Sequence, residues 1–174
     1  MVAFERQGAV RWIGGLLPVL LFCLFLMPFA ETAKAAAGET DSVLISAESL
    51  FKAMKQTNYA EIWMGLTQKS RKIIAEDVFK KTKGAGQTGY SVDAVEKDFD
   101  GNGPVAKEYW DAFLQSFNPD EVLERSTWEI GFVKKDTAEI CLLHKNAENP
   151  ARLKMFKENG QWKVGLVETF WNRK

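Results

Sequence analysis

The hydrophobic pattern of this chain changes its period once, at the start of its last third, and this change most constrains the fold. Before it, apolar residues recur at helical spacing, most clearly between Pro104 and Phe117. After it, Trp128, Ile130 and Phe132 occupy alternate positions, as in a half-buried strand, and Asn159-Gly160 is a strong hairpin-turn signal. Helices followed by hairpin-linked strands predict an α+β domain with its helices on one face of an antiparallel sheet.

Caps and turn signals give approximate bounds for these elements. The predicted helices run from Ser46 to about Thr57, across Ile62–Leu66, from Thr67 to about Lys81, from Pro104 to Phe117, and from Asn118-Pro119 for a short stretch. The predicted strands are Trp128–Val133, Ala138–Lys145, Arg152–Phe156 and Trp162–Trp171. The last strand is apolar on both faces, which favours a homodimer that covers Val167 and Trp171 through the sheet.

The start of the chain has the order of regions found in a secretory signal. Two arginines precede an uncharged apolar run, Ile13–Ala30. Ala33 and Ala35 then supply small side chains at the two positions that a signal peptidase must accommodate. We therefore predict a signal peptide over residues 1–35 and an exported protein, either periplasmic or secreted.

Two alternatives remain for this segment. Cleavage could follow Ala37 instead, or Ile13–Ala30 could stay as an uncleaved helix that tethers the domain to the outer side of the membrane. After the signal, residues 36–43 are small and polar and predict a short disordered leader. Residues 44–174 then form a single domain, long enough to bury its own core.

Composition narrows the classes of function. Without residues 1–35 the chain is nearly neutral, so it has no electrostatic footprint for nucleic acid or for an anionic membrane surface. Cys141 would then be its only cysteine, which excludes an internal disulfide. His144 is the only histidine, so neither a histidine-based zinc site nor a serine triad is expected. We interpret Cys141 as a packed apolar residue and His144 as exposed at a strand end.

The end of the chain carries a resemblance to a known superfamily. The segment Leu153-Lys154-Met155-Phe156-Lys157-Glu158-Asn159-Gly160-Gln161-Trp162-Lys163-Val164 follows several amphipathic helices. It resembles the closing hairpin of secreted bacterial members of the superfamily of nuclear transport factor 2 and ketosteroid isomerase. The resemblance implies a cone-shaped barrel in which helices and a curved sheet enclose a pocket. That fold has hosted isomerases, dehydratases, ligand binders and interaction modules, so it does not choose among them.

Two motifs suggest ligands. Gly84–Gly89 matches G-x-G-x-x-G, but it follows a predicted helix rather than a strand, so we expect a loop and no dinucleotide cofactor. Asp98, Asp100 and Asn102, followed by glycine, have the spacing of the first half of a calcium loop. The twelfth position, which needs a bidentate acid, is Tyr109. The alternative is a polar turn whose Asp100 and Asn102 help to cap the helix that begins near Pro104.

Glu168 is the acid that the predicted strand pattern singles out. It falls on the face of Trp162–Trp171 where an apolar residue would continue the pattern. A carboxylate in an apolar pocket can serve as a catalytic acid or base, which would suit a lyase or isomerase. The alternative is that a bulge or the strand register turns Glu168 towards solvent.

The aromatic residues are mostly predicted to be core, and a few could line a pocket. The ligand-binding candidates are Trp110, Trp128, Trp162 and Phe170. The absence of a catalytic constellation in the sequence favours a non-enzymatic exported domain that binds a small apolar ligand or a partner protein. An enzyme that uses Glu168, and a calcium-binding module that uses Asp98, Asp100 and Asn102, are the alternatives.

Overall fold

The structure is a computed structural model that describes residues 27–84 and 91–171, with side chains from residue 37 onward. Its helices are α1 (Met27–Lys55), α2 (Tyr59–Gly65), α3 (Gln68–Gly84), α4 (Val92–Asp100), α5 (Pro104–Ser116), α6 (Pro119–Leu123) and α7 (Leu166–Phe170). Its strands are β1 (Ser126–Val133), β2 (Thr137–His144), β3 (Ala151–Glu158) and β4 (Gln161–Val164). Most of the predicted signal peptide lies outside the described residues. No helix among those described is long and apolar enough to cross a membrane.

The four strands form one open antiparallel sheet in the order β1-β2-β3-β4. The predicted α+β class and the hairpin at Asn159-Gly160 are therefore confirmed. Both turn residues have positive φ, 51° and 78°, the conformation that a two-residue turn between twisted strands requires. The β1–β2 register shifts between Ile130 and Phe132, so the predicted alternation ends at this bulge and Phe132 is exposed. The sheet is not closed into a barrel.

Helix α1 corrects the prediction for residues 36–43. This stretch is helical, not a disordered leader, and α1 begins at Met27 instead of Ser46. Val43 is fully buried in the core, and the Glu39 carboxylate accepts hydrogen bonds from Lys157 and Trp162. The small residues that suggested disorder are compatible with a helix, since alanine is the best helix former.

Helix α3 begins where its cap predicts. The Thr67 hydroxyl accepts a hydrogen bond from the Ser70 amide at 3.0 Å, and both residues are buried. The Glu158 carboxylate accepts a second amide, that of Gln68, at 3.0 and 3.1 Å. A negative charge at this end stabilises the helix because the unpaired amides make it positive.

Helix α4 is absent from the sequence predictions. Ser91 caps it by accepting the Ala94 amide at 3.1 Å, and Val95 and Phe99 are buried on one face. Helix α4 has only nine residues, and its C-terminal turn overlaps the residues with calcium-like spacing. Because of that spacing, this stretch was predicted to be a turn or a metal loop. The next two helices confirm their predictions, since α5 begins at Pro104 and Asn118 caps α6.

The end of the chain is the largest correction to the predicted secondary structure. The predicted strand Trp162–Trp171 stops at Val164, and after Gly165 the chain turns into helix α7. A Cβ at Gly165 would lie 2.7 Å from the Phe156 ring, so the turn depends on glycine. Val167 is buried within a single chain. The two-faced strand that favoured a homodimer is therefore absent, and that argument for the dimer falls.

The space between helices and sheet is filled by apolar side chains. Phe51, Phe99 and Trp110 are among the largest fully buried residues, in one cluster with apolar residues of β2, β3 and β4. The rings of Trp63 and Phe99 lie 4.5 Å apart between centroids, and those of Tyr109 and Trp110 lie 4.9 Å apart. Aromatic packing of this kind stabilises a domain that has no disulfide among its described residues.

Candidate functional site

The largest of the grooves described runs between α3 and α5, with a volume of about 560 Å³. We call it the aromatic groove, and it is lined by Asp77, Val78, Lys80, Lys81, Tyr109, Ala112, Phe113 and Trp171. Three of these residues are aromatic, and two are lysines. Its size and its mostly apolar lining with a few polar groups are typical of small-ligand sites.

The sequence positions the lining by helical spacing. Tyr109, Ala112 and Phe113 lie three and four residues apart on α5, beside the fully buried Trp110. The apolar face of α5 is thus wider than the core alone covers, and its outer part faces the groove. Trp171 follows α7 directly, where its amide donates to the Val167 carbonyl at 3.0 Å.

The two lysines of the aromatic groove differ in their ion pairing. Lys80 lies 3.6 Å from Asp77, and Lys81 forms no ion pair with a described residue. Burial raises the pKa of the Tyr109 hydroxyl well above its usual range, and the negative charge of Asp77 adds to the shift. Tyr109 therefore keeps its proton at every physiological pH and can donate a hydrogen bond.

Glu168 lies in α7 and joins it to the start of α3. One carboxylate oxygen accepts the Thr67 hydroxyl at 3.0 Å, and the other accepts the Ser70 hydroxyl at 2.5 Å. Ser70 also accepts the Val167 amide at 3.1 Å. The predicted strand, on which Glu168 would either lie in an apolar pocket or turn towards solvent, is absent at this position. Both carboxylate oxygens accept protein hydroxyls, an arrangement that stabilises the turn before Trp171.

A second groove of about 370 Å³ lies beside this network and is lined in part by Lys69, Lys154, Phe156 and Glu168. Trp171 also lines it, so this side chain contributes to two neighbouring grooves. The position of Trp171 consequently affects the shape of both.

Two of the three predicted calcium residues, Asp98 and Asp100, are engaged in other contacts. Asp98 accepts the Ala106 amide at 2.8 Å and so caps α5, a role that the alternative interpretation assigned to Asp100 and Asn102. Asp100 accepts the indole N–H of Trp63 at 2.8 Å. Asn102 has a positive φ of 51°, and a Cβ at Gly103 would lie 2.1 Å from the Asp98 carboxylate. Within residues 37–84 and 91–171 no group of three or more acidic, histidine or cysteine side chains could hold a metal ion.

The four aromatic candidates do not converge on one pocket. Trp110 is fully buried, and Trp128 donates its indole N–H to the Val122 carbonyl at 2.9 Å. Trp162 donates to Glu39 at 2.8 Å, whereas Phe170 is 43 % exposed. The groove instead uses Tyr109, Phe113 and Trp171, which the sequence patterns assigned to core or to a dimer face. The unusual width of the α5 apolar face was the signal that could have indicated it.

His144 and Cys141 both lie on β2, separated by Leu142 and Leu143, and they differ in character. His144 is half-buried, and its Nε2 lies 2.8 Å from the Glu121 carboxylate, so it is not the exposed strand end that was predicted. Its Nδ1 accepts the Asn146 amide at 3.2 Å, which places the proton of the neutral ring on Nε2. Cys141 is a free, half-buried thiol on the sheet. The glycine-rich motif lies largely outside the described residues, since only Gly84, the end of α3, is described.

Comparisons with protein-family models, with curated proteins and with solved structures find no match for this chain.

Proposed function

We propose that this protein is an exported, non-enzymatic domain that binds a small aromatic or apolar anion in the aromatic groove. The observation that carries the proposal is the combination of Tyr109, Phe113 and Trp171 with two lysines around about 560 Å³ of space. Aromatic side chains bind flat apolar molecules, and lysines select those that carry a negative charge.

Each polar group in the groove has a role in this binding. Lys81, which has no ion pair with a described residue, attracts the anionic group of the ligand. The Tyr109 hydroxyl remains protonated and donates to an acceptor on the ligand. Asp77 partly neutralises Lys80, so the groove favours a single negative charge over a multiply charged ligand.

A pair of dyes tests the proposal. Anilinonaphthalene sulfonate and N-phenyl-1-naphthylamine share an aromatic body, and only the first carries an anionic group. We expect the sulfonate to bind more tightly and the difference to shrink by about tenfold in the variant Lys80→Ala/Lys81→Ala, because an ion pair in a partly apolar site contributes about 1–2 kcal/mol. Dye fluorescence, titrated at fixed ionic strength, measures both affinities.

Lys107→Ala is the matched control, since Lys107 is an exposed lysine of α5 outside the groove. The control is expected to bind both dyes as the unaltered protein does. Equal affinity for the two dyes, or an equal response in Lys107→Ala, would contradict the proposal.

The wider assignment rests on three further proposals. Export is proposed from the order of arginines, apolar run and small residues in 1–35. Membership of the nuclear transport factor 2 superfamily, with its cone-shaped barrel, is proposed from helices that precede an antiparallel sheet and from the Asn159-Gly160 hairpin. A homodimer through the sheet stays a prediction, without the two-faced last strand.

A further inference from the structure

A further cleft, about 400 Å³ in volume, lies between α3 and α4. We call it the charged cleft, and its lining includes Trp63, Arg71, Lys72, Asp93, Glu96 and Asp100. The two cations belong to α3, and the three acids belong to α4. Opposite charges thus come from two neighbouring helices.

These charges do not neutralise one another directly. Among the described residues, neither Arg71 nor Lys72 lies within 4.0 Å of a carboxylate oxygen. Opposite charges at a protein surface usually gain by pairing when their side chains can reach each other. Here the cations and the acids line a space between them, and a ligand that carries both signs of charge would fit that space.

Arg71 is held in place without an ion pair. Its guanidinium carbon lies 5.9 Å from the centre of the Trp63 ring, a cation–π contact, and the Trp63 indole is itself fixed by Asp100 at 2.8 Å. The Nε of Arg71 is buried and has no hydrogen-bond partner among the described residues. A buried donor without a partner costs free energy, and an arriving oxyanion would supply acceptors after a small rotation of the side chain.

We propose that the charged cleft binds a free α-amino acid as its zwitterion. Its carboxylate would pair with Arg71 and Lys72, and its ammonium group would pair with Asp93 and Glu96. Guanidinium is the preferred partner of a carboxylate, because its planar N–H groups match the two oxygens. An anion alone would leave the acids unpaired, and a cation alone would leave Arg71 unpaired.

The test uses amino acids and their singly charged derivatives. Each common L-amino acid is offered at millimolar concentration to the whole protein, with binding followed by ligand-observed NMR and the best ligand titrated by calorimetry. We expect that ligand to lose affinity about tenfold or more both as its amide, which lacks the carboxylate, and as its N-acetyl derivative, which lacks the ammonium group. Absence of binding by every amino acid, or a derivative of either kind that binds as tightly as the parent amino acid, would overturn the proposal.

Variants locate the binding. Arg71→Gln and Asp93→Asn are each expected to reduce the affinity of the amino acid about tenfold. Arg125→Gln is the matched control, because Arg125 pairs with Glu121 outside the cleft. If Arg71→Gln fails to fold, Lys72→Gln tests the cationic side of the charged cleft instead, because Lys72 is exposed. Amino-acid binding unchanged in both Lys72→Gln and Asp93→Asn would overturn the assignment to this cleft.

Discussion

Two glutamates, one in α1 and one in α7, form polar contacts with the rest of the domain, and they do so by different chemistry. Glu168 in α7 accepts two hydroxyls, those of Thr67 and Ser70, and both donors are buried. Glu39 in α1 accepts the ammonium group of Lys157 at 2.6 Å and the Trp162 indole at 2.8 Å. We call these two sets of contacts the Glu168 clasp and the Glu39 clasp. The Glu168 clasp uses neutral buried donors, and the Glu39 clasp includes a charged donor that water can reach.

The difference indicates where each clasp is vulnerable. A buried hydroxyl that loses its acceptor has no water to replace it, so the Glu168 clasp should be costly to break. The Lys157 and Glu39 side chains are 27 % and 34 % exposed, so water can replace either partner and salt weakens the pair. The Glu39 clasp should instead respond to pH and ionic strength.

The largest effect is expected for Glu168→Ala. This change leaves two buried hydroxyls without their acceptor and should lower the free energy of unfolding by about 2–4 kcal/mol, as measured in urea. It should also weaken dye binding in the aromatic groove, because α7 positions Trp171. Glu148→Ala, at an exposed position, is the control. A stability loss no greater than that of the control would show that the clasp contributes little.

A smaller loss is expected for Ser70→Ala, about 1–3 kcal/mol, because Glu168 keeps its bond to Thr67 while the Val167 amide loses its acceptor. The double variant Ser70→Ala/Glu168→Ala should lose less than the sum of the two single changes, since both remove the same contact. Strict additivity of the free energies of unfolding would mean that Ser70 and Glu168 act independently.

These contacts show what the sequence could and could not predict. Proline, asparagine and glycine at Pro104, Asn118 and Asn159-Gly160 act locally, so the starts of α5 and α6 and the hairpin turn were predicted correctly. Glu168 was singled out as an acid in an apolar run, and the structure places it in α7. The run was assigned to a strand because a strand and a short buried helix produce similar apolar stretches.

The aromatic groove was missed in the sequence for a different reason. Tyr109 and Phe113 share the helical period of the core, and only the packing of α3 against its neighbours leaves part of that face uncovered. Likewise Asp98 and Asp100 have calcium-like spacing, but their partners, Ala106 and Trp63, are set by tertiary structure. Spacing along the chain does not specify which donor a carboxylate meets.

The smallest effect concerns Glu39 and is seen only with pH. The hydrogen bond from Lys157 lowers the pKa of Glu39 below its ordinary value of 4.5, with the Trp162 indole contributing in the same direction. A lowered pKa in the folded state adds stability above pH 4.5, and that contribution is lost as the pH falls through the folded-state pKa. Glu39→Gln should therefore lose less stability on acidification than the unaltered protein does.

The measurement is the unfolding midpoint at neutral pH and at several values below 4.5, at low and at high salt. High salt should shrink the difference between Glu39→Gln and the unaltered protein, because the clasp is accessible to ions. Parallel pH profiles for the two proteins would show that the Glu39 clasp does not contribute to the pH dependence of the unfolding midpoint.

The clasp at Glu168 also constrains the order in which the chain can be completed. Thr67 and Ser70 lie 101 and 98 residues before their acceptor, and Thr67 also donates its amide to the Val164 carbonyl at 3.0 Å. During synthesis from the N-terminus, α3 is therefore made well before the partners of its first turn. Until residues 164–168 emerge, the nascent domain offers proteases and chaperones an unfinished helix end.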